Sequence, residues 1–102
     1  MIAFTGKPKF RLGQVVSTPG ALNALSQSGS DPAVLLGRHQ AGNWGDLCDD
    51  DKRLNEDAIK HEGDWDRQQR VFSAYKIGDE TTIWIITEWD RSITTLLLPE
   101  EY

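Results

Sequence analysis

The clearest pattern in the chain is a change of hydrophobic period near residue 70. Before it, apolar residues recur at helical spacing between glycines and prolines; after it, they alternate or run continuously as in strands. Thr81 to Leu98 reads TTIWIITEWDRSITTLLL, two β-rich runs around the polar corner Glu88-Trp89-Asp90-Arg91. This spacing predicts a hairpin in the middle of a small sheet. Arg70 to Ile77 alternates Val71, Ser73, Tyr75 and Ile77 against Phe72 and Ala74, which predicts a further strand joined through a Gly78-Asp79 turn. The Thr81–Glu88 run is apolar on both faces, so it needs cover on both sides or a partner on one.

Upstream, Phe10 to Thr18 reads as a strand in which Gly13 marks a bulge or a close backbone approach. Thr18-Pro19 then starts a helix: the threonine oxygen can cap free N–H groups, and proline loses nothing at the first helical position. Ala21, Leu22, Ala24 and Leu25 form its stripe and Gly29 its stop. The signal repeats with Ser30 or Asp31 as cap, Pro32 as first residue, and an end between Gln40 and Gly42. Asp49, Asp50 and Asp51 open a third helix, where the dipole favours negative charge; Leu54, Ala58 and Ile59 are its only apolar face. His61 lies near its end and Gly63 stops it. The expected fold is therefore α+β, a single small domain with the order β-α-α-α-β-β-β, an antiparallel meander sheet and helices packed on one face. Residues 1–9 read as a flexible N-terminal arm, and 10–102 as the domain.

Composition narrows the function classes. With 102 residues, 38% hydrophobic and 26% charged, the chain can bury a core without staples. No run approaches a membrane span, no secretory leader is visible, and Cys48 is the lone cysteine, so a cytoplasmic protein without disulfides is expected. The net charge of −5 is uneven: residues 1–40 come to +3, 46–66 to −6 and 67–102 to −2. An acidic middle disfavours general binding to a phosphate backbone and suits a basic protein partner.

From Phe10 onward the chain resembles a family of small bacterial proteins of unknown function. Its members are described as hypothetical or plasmid-related, and sometimes as restriction-system subunits. The matching pieces are LGQVVSTPGAL (12–22), Arg38-His39 followed by GNWGDL, Asn55, SAY (73–75), and WIITEWDRSITTLLLPEEY from Trp84. Asn43 departs from the pattern, since the family is expected to carry aspartate there. The resemblance implies no mechanism.

Two sets of residues invite chemistry. Arg38 and His39 end the second helix, and a histidine beside a cation can act as general acid or base; alternatively both simply satisfy helix carbonyls. Glu88, Asp90, Arg91, Thr94 and Thr95 gather at the hairpin corner, where they could bind a phosphate and move a proton, or form an ordinary turn with a salt bridge from Asp90 or Glu88 to Arg91. Ser73 and Tyr75 share a strand face near Thr87 and can extend a polar site or line a half-exposed sheet face. Trp44 and Asp46 lie in a glycine-flanked loop, and Trp89 is the tryptophan most expected to be exposed. The acids, Cys48 and the histidines match no calcium or zinc spacing, so neither a metal nor another cofactor is expected.

Two functions remain. One is an acidic interaction module, an accessory or anti-defence protein of mobile elements, which binds a basic partner through its acidic segment and Trp-rich face. The other is a metal-independent ribonuclease of RelE-like topology, using His39, Glu88, Arg91 and Thr94. A homodimer through the Trp84 face is compatible with both.

Overall fold

A computed structural model describes residues 7–78 and 80–102. The elements are β1 (Gln14–Ser17), α1 (Pro19–Ser28), α2 (Pro32–Gln40), α3 (Asp49–Lys60), β2 (Val71–Lys76), β3 (Thr82–Thr87), β4 (Ile93–Leu97) and a closing 3-10 turn (Pro99–Glu101). The helix starts follow the local chemistry. Thr18 Oγ1 accepts the Ala21 N–H at 3.2 Å, and the Asp31 carboxylate accepts the Ala33 N–H at 2.9 Å. Gly29 ends α1 in the left-handed region at φ 69°.

The four strands form one sheet in the order β1-β4-β3-β2. β2, β3 and β4 are the expected antiparallel meander, but β1 pairs with β4 in parallel, Val15 opposite Thr94 and Ser17 opposite Leu96. The sheet is therefore mixed. A parallel neighbour needs a long crossover, and the three helices supply it.

Val71, Ser73 and Tyr75 of β2, Ile83, Ile85 and Thr87 of β3, and Thr94 and Leu96 of β4 share the helix-covered face. Ala21, Leu25 and Leu35 pack there on Tyr75, Ile83, Ile85 and Leu96. Each buried isoleucine or leucine contributes about 1.5–3 kcal/mol. A second cluster joins Phe10, Trp44, Ala58 and Val71. On the other face Trp84 is half-buried, edge-on to Phe72 at 4.9 Å and to Tyr102 at 5.7 Å, so the chain's last residues give β3 its second cover.

Three local expectations change. The first strand is shorter than Phe10–Thr18, because Gly13 turns the backbone at φ 64° and Phe10 dives into the second cluster. A side chain at Gly13 would overlap the Ser92 carbonyl, so the glycine marks a close backbone approach. Of the expected arm, residues 1–6 lie outside the described residues, whereas Lys9 is tied down by its N–H to the Gln40 carbonyl at 2.8 Å. On α3, Leu54 faces solvent at 61% exposure, and Asn55 takes the inward position beside Ala58. Among the described residues no helix is long and apolar enough to cross a membrane.

Candidate functional site

Two polar sites and one aromatic surface collect the residues with chemical potential. The first is centred on His39. On α2, Leu35 and His39 lie one turn apart on the buried side, and the imidazole ends fully buried over β2 and β3. Its Nδ1 is 2.5 Å from Ser73 Oγ and its Nε2 2.9 Å from Thr87 Oγ1. Thr87 Oγ1 is 2.6 Å from Thr94 Oγ1, which donates to the Leu12 carbonyl at 2.7 Å.

That terminal carbonyl sets the direction of the whole chain. Thr94 has one proton and gives it to Leu12, so Thr87 must donate to Thr94. Thr87 then accepts from His39 Nε2–H, and Nδ1 accepts from the Ser73 hydroxyl. The imidazole is thus a neutral Nε2–H tautomer, and every member is satisfied. Burial, with a smaller contribution from the Arg91 charge, pushes its pKa down to about 3. Phe10 and Trp44 close the site, with ring centroids 5.1 and 6.0 Å from the imidazole. Chemically, the arrangement is a staple that ties α2 to three strands.

The second site is the β3–β4 corner. Arg91 is the one described non-glycine residue with a left-handed backbone, φ 61°, a conformation that costs about 1 kcal/mol. Its side chain, 5% exposed, overcomes that cost. Nε and Nη2 grip the Glu62 carboxylate, the latter at 2.7 Å, and Nη1 donates to the carbonyls of Gln69 (2.8 Å) and Glu88 (2.9 Å). The expected turn pair with Asp90 or Glu88 is replaced by a long-range pair with Glu62. The Glu88 side chain is exposed and contributes only its backbone. Asp90 accepts the Ser92 hydroxyl (2.6 Å) and amide (3.0 Å), which hold its carboxyl below the usual range. With its donors so committed, Arg91 is poorly placed to bind a phosphate.

The catalytic set expected from the sequence does not converge. His39 and Thr94 share the buried chain, Arg91 is locked to Glu62, and Glu88 faces water. The Phe10 ring stands between the two sites, 5.1 Å from the imidazole and 5.5 Å from the Arg91 guanidinium.

The binding residues scatter similarly. Trp44 is buried, its Nε1–H on Glu56 at 2.6 Å. Asp46 takes the Lys76 N–H at 3.2 Å. Arg38 lies over the Tyr75 ring at 4.5 Å and reaches Asn43 Oδ1 at 3.5 Å. Ser73 and Tyr75 are buried, Tyr75 donating its hydroxyl to the Asn43 carbonyl. Thr95 points to the opposite sheet face from Thr94, as alternation requires.

Trp89 alone keeps its expected exposure, 47%, and it has a companion. Trp65, 64% exposed, meets it edge-to-face at 5.3 Å. Gln68 holds the pair's loops together through its amide to the Trp89 carbonyl at 2.6 Å. Asp64 and Asp66 flank one ring in the chain, Glu88 and Asp90 the other. Beside Trp65 opens a cleft of about 530 Å3, whose lining includes the acids Glu62 and Asp90 and the bases Lys9, Arg11 and Arg91. Glu62, Trp65 and Gln68 were missed as site residues, since each meets its partners only after folding. Among the described residues no cluster of three or more histidine, cysteine or acidic side chains could hold a metal. Comparison with models of known protein families, with curated proteins and with solved structures returns no match.

Proposed function

We propose that the chain is an acidic interaction module whose Trp65–Trp89 surface docks a basic segment of a partner protein. The single observation that carries this reading is the exposed tryptophan pair between four carboxylate-bearing neighbours, Asp64, Asp66, Glu88 and Asp90. Exposed indole faces attract arginine and lysine, and nearby carboxylates add long-range attraction and fast association. Tryptophan is also the residue type most enriched at energetic centres of interfaces. An accessory role beside nucleic-acid-binding defence proteins is the version of this reading that the family resemblance suggests.

The ribonuclease alternative draws less support, because its general base is sealed in the core and neutral. Catalysis from His39 would require the buried chain to open first.

An arginine-rich peptide titrated into the protein, followed by tryptophan fluorescence, tests the proposal. Binding that weakens with salt, and is lost in Trp65→Ala and Asp66→Asn, is expected. Equal binding by the variants, or none by the wild type, would sink it. RNA incubated with the protein and chelator should stay intact; cleavage abolished by a folded His39→Gln variant would restore the alternative.

A further inference from the structure

The two edges of the sheet are finished differently. Along the β2 edge, the outward N–H groups of Phe72, Ala74 and Lys76 and the carbonyls of Phe72 and Ala74 have partners from the same chain. The Asn55 amide accepts the Phe72 N–H at 3.0 Å and donates to its carbonyl at 2.6 Å. Ala74 donates to the Trp44 carbonyl at 3.1 Å and accepts the Asp46 N–H at 2.7 Å. The Asp46 carboxylate takes the Lys76 N–H. Such cover prevents an edge from pairing with another chain.

The β1 edge has no such cover among the described residues. Gln14 and Thr18 direct their N–H groups inward, to Ser92 at 2.9 Å and Leu96 at 3.0 Å. In a parallel ladder the alternate residues, Val15 and Ser17, therefore turn N–H and C=O outward. All four β1 residues are exposed, Val15 and Val16 at 43% and 36%. Beside them runs a groove of about 330 Å3 lined by Val15, Leu22, Pro32, Ala33 and Leu36, with Leu22 60% exposed and Asp31 the one charged residue of the lining.

Charge selects the occupant. Residues 12–30, which contain β1 and all of α1, hold no charged side chain, in a chain with 16 acids and a net charge of −5. Two copies of an acidic protein repel unless they meet on a neutral surface. The nearest acids are already occupied: Asp31 caps α2, and Glu101 accepts the Thr18 hydroxyl at 2.5 Å and the Leu98 N–H at 2.8 Å. We infer that β1 is a self-association edge, where two copies pair antiparallel about a two-fold axis into one eight-stranded sheet.

The outward groups define the register. Val15 exchanges both hydrogen bonds with Ser17 of the partner subunit, and Ser17 with Val15 of the partner subunit. Val16 then lies on the axis, facing Val16 of the partner subunit in a non-hydrogen-bonded pair about 4.5 Å apart between Cα atoms. That separation suits a disulfide. The contact is short, so the dimer is weak.

Sedimentation velocity from about 10 µM to about 1 mM should show dimer growing with concentration. Val16→Lys, which places like charges on the axis, should remain monomeric with an unchanged circular dichroism spectrum. In a Cys48→Ser background, Val16→Cys should form an inter-subunit disulfide under mild oxidation, and Leu54→Cys on α3 should not. The disulfide readout stands even where Val16→Lys fails to fold. A monomer at every concentration overturns the inference and leaves the edge to an extended segment of another protein. A dimer that cross-links through Trp84→Cys and not Val16→Cys overturns it as well.

Discussion

The His39 chain and the Trp65–Trp89 surface break the usual distribution of polar and apolar groups in opposite directions. The first puts an imidazole and three hydroxyls in the core; the second leaves two indoles in water. Every buried group in the first has its partner, so its polarity is fully used by the fold. The indoles of the second contribute little to the core, and their exposure is unexplained by folding. Buried polarity here serves the fold, and the exposed aromatic pair is what the proposed docking role rests on. Sequence chemistry alone points the other way, because a histidine near an arginine invites a catalytic reading.

Mutation separates the two regions most sharply. His39→Ala should lose about 4 kcal/mol of unfolding free energy, since it opens a cavity and orphans Ser73 and Thr87. Urea denaturation measures this, and a loss below about 1 kcal/mol would mean that the chain is not a staple. Arg91→Ala should cost about 3 kcal/mol, because the half-buried Glu62 carboxylate and the Gln69 and Glu88 carbonyls then lose their donors. A variant that binds RNA less well yet unfolds like the wild type would instead give Arg91 a functional role.

Acid should affect the His39 region next. The unfolded chain protonates this histidine near pH 6.5, the folded site only near pH 3. Between those values the unfolded state holds more protons, so stability is complete above about pH 6.5 and falls as the pH drops toward 3. The slope approaches about 1.4 kcal/mol per pH unit, or about 2 kcal/mol between pH 6.5 and 5. Urea midpoints over this window, where few carboxylates titrate, should slope in the wild type and flatten in His39→Gln.

The smallest stability effect belongs to the aromatic surface. Trp65→Ala should cost less than about 1 kcal/mol, the worth of one edge-to-face pair, while abolishing binding to the arginine-rich peptide. A large loss of stability would erase the contrast and make the indoles part of the fold.

How much of this was legible beforehand depends on the range of each interaction. Thr18-Pro19, Asp31-Pro32 and Gly29 announce the helix ends because capping is settled within a few residues, and the structure keeps these ends. The alternation of β2 and the polar corner before β4 follow equally local rules, so the element order was readable. The Ser73–Thr87 proximity was also foreseeable, as both lie on one face of neighbouring strands. Their joint partner was not. His39 lies 34 and 48 residues from them, Arg91 lies 29 from Glu62, and Asn55 lies 17 from Phe72. Nothing in local propensity specifies which of 16 acids reaches Arg91, or that Trp65 joins the expected Trp89 in water. Those choices follow from how the helices pack on the sheet, because burial and ion pairing depend on distances that exist only after the chain has closed. The sequence by itself determined the elements, their order and the uncharged stretch around β1. The tertiary structure decided that β1 joins β4 in parallel and ends the strand order among the described residues, that His39 is a neutral staple, and that the accessible chemistry lies at Trp65 and Trp89.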